Sequence, residues 1–138
     1  MSKYNSSKVE AYGRTWDSKT ELQYYEYLLK LQESGEVLKI EIQPSLILQE
    51  KFEKNGIKYR AITYTPDFLV EYADGSKAYI DVKGMSTPAS ELRRKLFAAK
   101  YDTPLLWISQ SKKWSNNGWI LYDELQKIRR NNRKAKEE

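Results

Sequence analysis

One hairpin constrains the fold more than any other part of the chain, because its apolar pattern determines its register. Apolar residues alternate along residues 68–72 and again along 78–82, and a turn signal, Ala73-Asp74-Gly75, separates the two runs. Opposed residues of an antiparallel pair lie on one face, so their numbers must here sum to an even value. We predict the sum 148, which pairs Phe68 with Ile80 across a three-residue loop whose glycine is left-handed.

The same register brings three charged side chains together on the face opposite the apolar one. It sets Asp67 opposite Asp81, with about 5 Å between the Cβ atoms, and Lys83 follows on the same face. Two opposed carboxylates repel each other, so we expect a cation between them. The chain contains no histidine and no cysteine. Oxygen ligands alone favour Mg²⁺ or Mn²⁺ over zinc.

Composition excludes several kinds of chemistry. Without histidine or cysteine, the chain cannot form a disulfide framework, a zinc finger, a thiol nucleophile or a Ser-His-Asp triad. Its 24 Lys and Arg residues exceed its 19 Asp and Glu residues, and this balance suits a polyanionic partner. The length of 138 residues indicates one domain. We find no signal sequence and no membrane-spanning run, and we expect a cytoplasmic protein, in the host cell if it is phage-encoded.

Start and stop signals place the other elements. The capping box Ser18-Lys19-Thr20-Glu21 begins a helix that runs to about Gln32, and Thr87-Pro88 begins a second helix that runs to about Tyr101. The inward residues predicted for the second helix are Leu92, Leu96 and Ala99. The further strands are predicted at 37–43, at 46–48 paired with 59–64 around Asn55-Gly56, at 104–108 and at 119–122.

The predicted order is a helix, three or four antiparallel strands, a helix and a strand, which describes one α/β domain. We divide the chain into an N-terminal arm at 1–17, the domain at 18–126 and a basic tail at 127–138. A last helix, capped by Asp123, is expected to dissolve into this tail.

The charged residues of the hairpin carry a resemblance. Pro66-Asp67, thirteen intervening residues and Asp81-Val82-Lys83-Gly84 resemble the PD-(D/E)XK motif of the restriction-endonuclease-like superfamily. The element order is similar to the αβββαβ core of that superfamily, which implies a mixed sheet with helices on its faces. The stretch from Ser18 to Tyr101 resembles a phage-associated family whose members are often described as Holliday junction resolvases. It is loosely similar to the nuclease subunit of Tn7-type transposition systems.

This resemblance implies a Mg²⁺- or Mn²⁺-dependent DNA endonuclease acting on branched or phage replication DNA. Asp67, Asp81 and the backbone carbonyl of Val82 would be metal ligands, and Lys83 would orient water and stabilise charge on the phosphate. Glu21 matches the upstream glutamate of the superfamily and would hold a second metal or its water. The competing interpretations are structural: a turn aspartate, an edge-strand lysine and, for Glu21, the capping box.

Basic residues outside the motif are candidates for contacts with DNA phosphates, and a solvated helix face is the alternative. The candidates on the second helix are Arg93, Arg94, Lys95 and Lys100, and those in the tail are Arg129, Arg130 and Arg133.

Gln43 is a candidate for the site by position only. Tyr64 and Trp107 are assigned no role. By resemblance to resolvases, a homodimer is expected if paired nicks are made.

Two other functions remain open. A non-catalytic DNA-binding accessory factor with a nuclease-like fold would keep the carboxylates for folding only and would bind DNA without a metal requirement. An RNase H-like nuclease also uses clustered acids, but its first three strands precede its first helix, whereas the Ser18 signal begins a helix first.

Overall fold

A computed structural model of the protein describes residues 8–137. Its helices are α1 (Lys19–Glu33), α2 (Pro88–Lys100) and α3 (Tyr122–Glu137). Its strands are β1 (Val9–Ala11), β2 (Arg14–Trp16), β3 (Val37–Ile42), β4 (Leu46–Gln49), β5 (Phe52–Lys54), β6 (Ile57–Tyr59), β7 (Ile62–Tyr64), β8 (Phe68–Tyr72), β9 (Lys77–Val82), β10 (Leu105–Gln110) and β11 (Trp119–Leu121). The predicted α/β class is confirmed.

Five strands form one mixed sheet in the order β11-β10-β9-β8-β3. Only β9 and β10 are parallel in this sheet, and the other neighbouring strands are antiparallel. The pairs β1–β2, β4–β7 and β5–β6 form separate two-stranded sheets. The first strand of the main sheet follows α1, which argues against the RNase H-like order.

The predicted register of the central hairpin is confirmed. Phe68 lies opposite Ile80, and Glu71 lies opposite Lys77, whose Nζ is 3.7 Å from the Glu71 carboxylate. Gly75 has a φ of +88° in the connecting loop, a conformation that glycine adopts without the steric cost of a Cβ. The opposed charges and the glycine turn therefore stabilise the same register as the apolar alternation.

Helices cover both faces of the sheet. Tyr24 and Leu28 of α1 pack with Phe68 and Ile80 on one face. On the other face, Phe97 of α2 packs in a second cluster with side chains that include Tyr79 and Tyr64. Because side chains alternate along a strand, Asp81 lies on the α2 side. The sheet thus carries a polar residue beneath its second helix.

The ends of the first two helices follow their sequence signals. Ser18 caps α1, and its Oγ accepts a hydrogen bond from the Glu21 N–H at 3.1 Å. Gly35, with a φ of +89°, ends α1 in a Schellman motif, in which the Glu36 N–H donates to the Leu31 carbonyl at 2.9 Å. Thr87 caps α2, with Pro88 in its first turn. These signals are local, and the predicted helix boundaries hold to within one residue.

The structure adds to one expectation about the periphery and corrects two others. Part of the predicted arm forms the β1–β2 hairpin, and Trp16 of this hairpin is buried in the main core. On α2, Phe97 is the buried residue, whereas Leu92 and Ala99 are exposed, because Phe97 fills the space between α2 and two tyrosines. The tail does not dissolve: α3 continues to Glu137. Its first turns are held by the buried Tyr122 and Leu125.

The ribbon between β3 and β8 agrees with its prediction in part. Leu46 lies opposite Tyr64 in the β4–β7 pair, as expected, but this pair is not part of the main sheet. The Asn55-Gly56 turn connects β5 and β6. No helix in residues 8–137 has the length and apolar character needed to cross a membrane.

Candidate functional site

Three carboxylates meet at the sheet edge where β9 and β10 end. Asp67 directly precedes β8, Asp81 is the second-last residue of β9, and Glu21 lies in the first turn of α1. Glu21 and Asp81 are only 5% and 7% exposed. Three of the four residues predicted to be catalytic are therefore acids that lie close together in the folded protein. The fourth, Lys83, directly follows β9.

Asp67 is held by backbone hydrogen bonds and by its acidic neighbours. Its Oδ2 accepts from the Val82 N–H at 2.7 Å, and its carbonyl accepts from the Gln43 N–H at 2.8 Å. Burial, followed by the charge and hydrogen bond of Asp81 and the charge of Glu21, raises the pKa of Asp67 to about 10. At neutral pH, without a metal, this raised pKa favours the protonated form of Asp67. Val82 contacts this site through its N–H, and its role as a carbonyl ligand stays a prediction.

Glu21 directs its carboxylate into the site and not back to the helix cap. The reciprocal bond of a capping box, from the Ser18 N–H to Glu21, is not formed in the part of the chain described here. The Oε1 atom of Glu21 is buried and has no hydrogen-bond partner among residues 8–137. Burial raises the pKa of Glu21, and a hydrogen bond with Asp67 opposes this rise. Helix capping thus explains the position of the Glu21 backbone, but it does not explain why the Glu21 carboxylate is buried in the site.

Asp81 has partners that Asp67 lacks. Its Oδ2 accepts a hydrogen bond from the Tyr64 hydroxyl at 2.6 Å and lies 3.2 Å from the Lys83 Nζ. Burial, together with the charge of Asp81, raises the pKa of Tyr64, so this hydroxyl remains a donor. The Lys83 Nζ also lies 5.0 Å from the ring centre of Trp107, a cation–π distance. The ammonium group is therefore held between a carboxylate and an aromatic ring.

The backbone of β10 holds this lysine in place. The Lys83 N–H donates to the Ile108 carbonyl at 2.7 Å, and the Lys83 carbonyl accepts from the buried Ser109 Oγ at 2.6 Å. Trp107 lies directly opposite Asp81 in the parallel β9–β10 register. The end of β9 is consequently rigid, and the spacing of Asp81 and Lys83 depends on β10 as well as on their own strand.

The donor set fits an oxygen-binding cation in its chemistry. The orphaned Glu21 oxygen and the raised pKa values of Glu21 and Asp67 mark uncompensated acidity that a divalent cation would relieve. The spacing is not preassembled, since no group of three or more Asp, Glu, His or Cys side chains within residues 8–137 is arranged to hold a metal ion. Small side-chain movements would therefore accompany binding of Mg²⁺ or Mn²⁺.

The basic candidates on α2 fall into two groups. Arg94 hydrogen bonds to Asp123 of α3, at 3.1 Å for one of the two bonds, and lies 4.3 Å from the Trp107 ring centre. The Lys100 Nζ donates to the Ile47 carbonyl at 2.7 Å. Both thus connect α2 to neighbouring elements. The exposed basic candidates are Arg93 and Lys95 on α2 and Arg129, Arg130 and Arg133 on α3.

Sequence reasoning missed Tyr64 and Trp107, which both contribute to the site. Tyr64 arrives from the β4–β7 ribbon outside the main sheet, and no local signal marks it. Trp107 could have been found by pairing β10 in parallel with β9.

Gln43 lies beside the site with a φ of 53°, and its side chain accepts a hydrogen bond from Arg14 at 3.4 Å. Left-handed backbone at a residue other than glycine is uncommon and often accompanies a functional site.

A comparison with known families identifies the chain. A family model described as "Protein of unknown function (DUF1064)" matches residues 1–116. The chain belongs to this family. The DUF1064 match contains all four predicted catalytic residues and ends before β11 and α3. No match is found among curated proteins.

Proposed function

We propose that this DUF1064 protein is a Mg²⁺- or Mn²⁺-dependent DNA endonuclease of the PD-(D/E)XK type. Its substrates would be branched DNA of phage replication or recombination, including Holliday junctions. One observation carries the proposal: Glu21, Asp67 and Asp81 are drawn together at one sheet edge, beside Lys83, with an acidic oxygen left unpaired.

Folding alone gives little reason for this cluster. An unpaired buried carboxylate costs several kcal/mol, in the order of magnitude typical of such groups, unless it is neutralised or bound to a cation. Within residues 8–137 the chain retains an unpaired carboxylate oxygen of this kind on Glu21, next to Asp67, whose pKa is raised, and a third acid, Asp81. Clustered titratable groups with shifted pKa values are typical of functional sites.

The residues divide the proposed reaction between them. When bound, a divalent cation would neutralise charge on a phosphodiester and make a water molecule more acidic. Asp67, Asp81 and Glu21 would hold that cation. Lys83 would donate hydrogen bonds toward the phosphate from its fixed position between Asp81 and Trp107. The net positive charge of the chain would favour its approach to DNA.

A non-catalytic DNA-binding accessory factor is the second candidate. It is favoured by the absence of a preassembled ligand group in residues 8–137. In that case Asp67 would stay protonated and Asp81 would stay paired with Lys83, and DNA binding would not need a metal.

The test uses Lys83→Ala with a matched control on the same strand. Lys77 lies at the opposite end of β9 and pairs with Glu71 on the surface, so Lys77→Ala removes the same charge far from the site. Cleavage of a four-way junction, a linear duplex and supercoiled plasmid is measured with Mg²⁺ and with EDTA. We expect metal-dependent cleavage that Lys83→Ala lowers by about 100-fold or more, while Lys77→Ala cleaves like wild type.

Other outcomes would decide against the proposal in distinct ways. Normal cleavage by Lys83→Ala would show that the active site has been assigned to the wrong residues. DNA binding without scission under Mg²⁺ or Mn²⁺ would support the accessory factor. Thermal unfolding of both variants controls for folding, and sedimentation of the DNA-bound protein tests the expected homodimer.

A further inference from the structure

A hairpin finger, residues 50–60, projects from the domain without covering contacts. Every residue from 50 to 60 is exposed, and among the strands of residues 8–137 β5 and β6 pair only with each other. Phe52 and Tyr59 are each 43% exposed, and Ile57 is 54% exposed. Large apolar side chains in a fully exposed ribbon are not explained by the fold of this domain.

The two faces of the finger differ in chemistry. Phe52 lies opposite Tyr59, and their rings stack with centres 4.7 Å apart and planes at 15°. Because side chains alternate, Lys54 and Ile57 share this aromatic face. The tip is an Asn55-Gly56 turn in which both residues have positive φ, typical of a rigid two-residue hairpin turn. The stacked pair is therefore presented on a preformed ribbon.

The finger carries more positive than negative charge. The cations of the finger are Lys51, Lys54, Lys58 and Arg60, and its acids are Glu50 and Glu53. None of these six side chains takes part in the salt bridges found within residues 8–137. Lys54 lies on the aromatic face, and Lys51, Lys58 and Arg60 lie on the opposite face, where Glu53 is across from Lys58. The finger thus offers one cation beside the exposed aromatic rings and a net positive charge over the whole ribbon.

The base of the finger is anchored to the candidate site. Leu48 and Tyr64, in the β4–β7 ribbon that carries the finger, are buried against Phe97. The Ile47 carbonyl accepts hydrogen bonds from the side chains of Lys100 and Tyr101. The Tyr64 hydroxyl contacts Asp81 directly. The finger is accordingly fixed at the end nearest the carboxylates and free at its tip.

The length of the chain limits how far the finger lies from the site. Tyr64 lies five positions after Tyr59 in the sequence, so at most about 18 Å of extended chain lies between them. That distance corresponds to about five base pairs of duplex at 3.4 Å each. A nucleic acid held at the carboxylates would therefore pass within reach of the stacked pair.

We propose that the finger binds DNA beside the site and that the aromatic face of Phe52 and Tyr59 stacks on a base left unstacked at a branch point. The inference rests on the proposed function and specifies its substrate as DNA with unstacked bases. A two-stranded ribbon fits a DNA groove, and aromatic side chains with neighbouring cations are the usual platform for unpaired bases. A second copy of the chain fits less well, because three apolar side chains are few for a dimer interface and like charges would face each other.

The test measures binding in EDTA, so that it does not depend on cleavage. The probes are a four-way junction with 2-aminopurine at the branch point and a fully paired duplex with the same label. We expect Phe52→Ala/Tyr59→Ala to weaken junction binding about tenfold or more, with a smaller loss on the duplex. Wild type should quench the branch-point fluorescence by stacking, and the double variant should not.

Matched variants keep the result specific. Leu38→Ala removes an exposed apolar side chain from β3, and we expect it to bind like wild type. Lys54→Gln/Lys58→Gln should lower the slope of log affinity against log salt by about two. Equal binding and quenching by wild type and the aromatic double variant would overturn the proposal. So would a dimer of wild type that becomes a monomer in that variant.

The proposal can fail independently of the proposed function. Mg²⁺-dependent cleavage lost in Lys83→Ala, with junction binding unchanged by the aromatic variant, would retain the nuclease and reject the finger. Branch-point quenching without cleavage would retain the finger and reject the nuclease.

Discussion

The two sides of the candidate site differ in what balances their negative charge. On one side, Asp81 has the Lys83 ammonium at 3.2 Å and the Tyr64 hydroxyl at 2.6 Å. On the other, Asp67 has one backbone N–H, and the Glu21 Oε1 has no partner. The fold neutralises the first side and leaves the second acidic.

This asymmetry indicates how the site could divide its work. An ion pair that is already complete gains little from a second cation, whereas two neighbouring buried acids gain much. A divalent cation is therefore expected closest to Asp67 and Glu21. The Asp81 side then positions Lys83 for a phosphate. Each variant below changes a charge or a hydrogen bond on one side of the site.

Asp67→Asn should produce the largest effect, with opposite signs in the absence and presence of metal. Asparagine keeps the shape but removes the charge that burial and Asp81 oppose, so the metal-free variant should be more stable than wild type at pH 8. Adding Mg²⁺ should raise the Tm of wild type but not that of Asp67→Asn. Thermal unfolding with EDTA and with a Mg²⁺ series measures both, and equal Mg²⁺ responses would count against Asp67 as a ligand.

The same variant should change how stability depends on pH. Because the pKa of Asp67 is raised in the fold, the folded state binds more protons than the unfolded state above pH 4. The stabilisation is complete below the unfolded pKa of about 3.9 and is lost as pH rises toward about 10. Metal-free wild type should lose up to about 1.4 kcal/mol per pH unit in this window, and Asp67→Asn should flatten the curve.

Tyr64→Phe should have a moderate effect, since it removes a hydrogen bond only from Asp81, the acid whose charge Lys83 already balances. The variant removes a buried hydrogen bond to a carboxylate, and we expect a loss of about 1–2 kcal/mol in the free energy of unfolding by urea. Tyr79→Phe is the matched control. Its ring also packs against Phe97, but no hydrogen bond of its hydroxyl is found in residues 8–137. Equal losses in the two variants would mean that the ring environment, not the Asp81 bond, is responsible.

Local signals predicted the part of this molecule that depends on neighbours in sequence. Alternation and a glycine turn suffice for the register that joins Asp67 to Asp81. Ser18 and Thr87 cap their helices by contacts within three residues. These features involve one hairpin or one helix turn, so distant packing does not override them.

The rest of the site depends on packing between elements far apart in sequence. Tyr64 reaches Asp81 because its ribbon packs on α2, and the orientation of α2 is set by Phe97 between aromatic rings. A capping-box pattern does not specify where the Glu21 carboxylate goes, since its backbone satisfies the cap alone. The helix pattern that makes Arg94 a candidate for a phosphate contact does not reveal that α3 continues beside it and supplies Asp123 as a partner.

Asp123→Asn should have the smallest effect. It removes the ion pair between Asp123 and Arg94, the arginine that lies over Trp107 next to Lys83. The Arg94–Asp123 pair is partly exposed, at 30% and 63% of the two side chains, so its loss should cost less than about 1 kcal/mol of stability. Arg94 would then lose its shorter ion pair and keep the one with Glu91 at 3.9 Å, so that it could contact a phosphate while its guanidinium stays over Trp107. We expect DNA affinity at low salt to rise by about two- to fivefold.

Glu124→Gln separates this release from a simple change in net charge. Glu124 is the next residue on α3, is exposed, and takes part in none of the salt bridges of residues 8–137. Both variants remove one negative charge from the same helix turn, but only Asp123→Asn frees Arg94. Titrations with a linear duplex at two salt concentrations should therefore show a larger gain for Asp123→Asn. Equal gains would mean that the pair does not restrain Arg94, and the predicted phosphate contact would then have to come from the exposed Arg93 and Lys95.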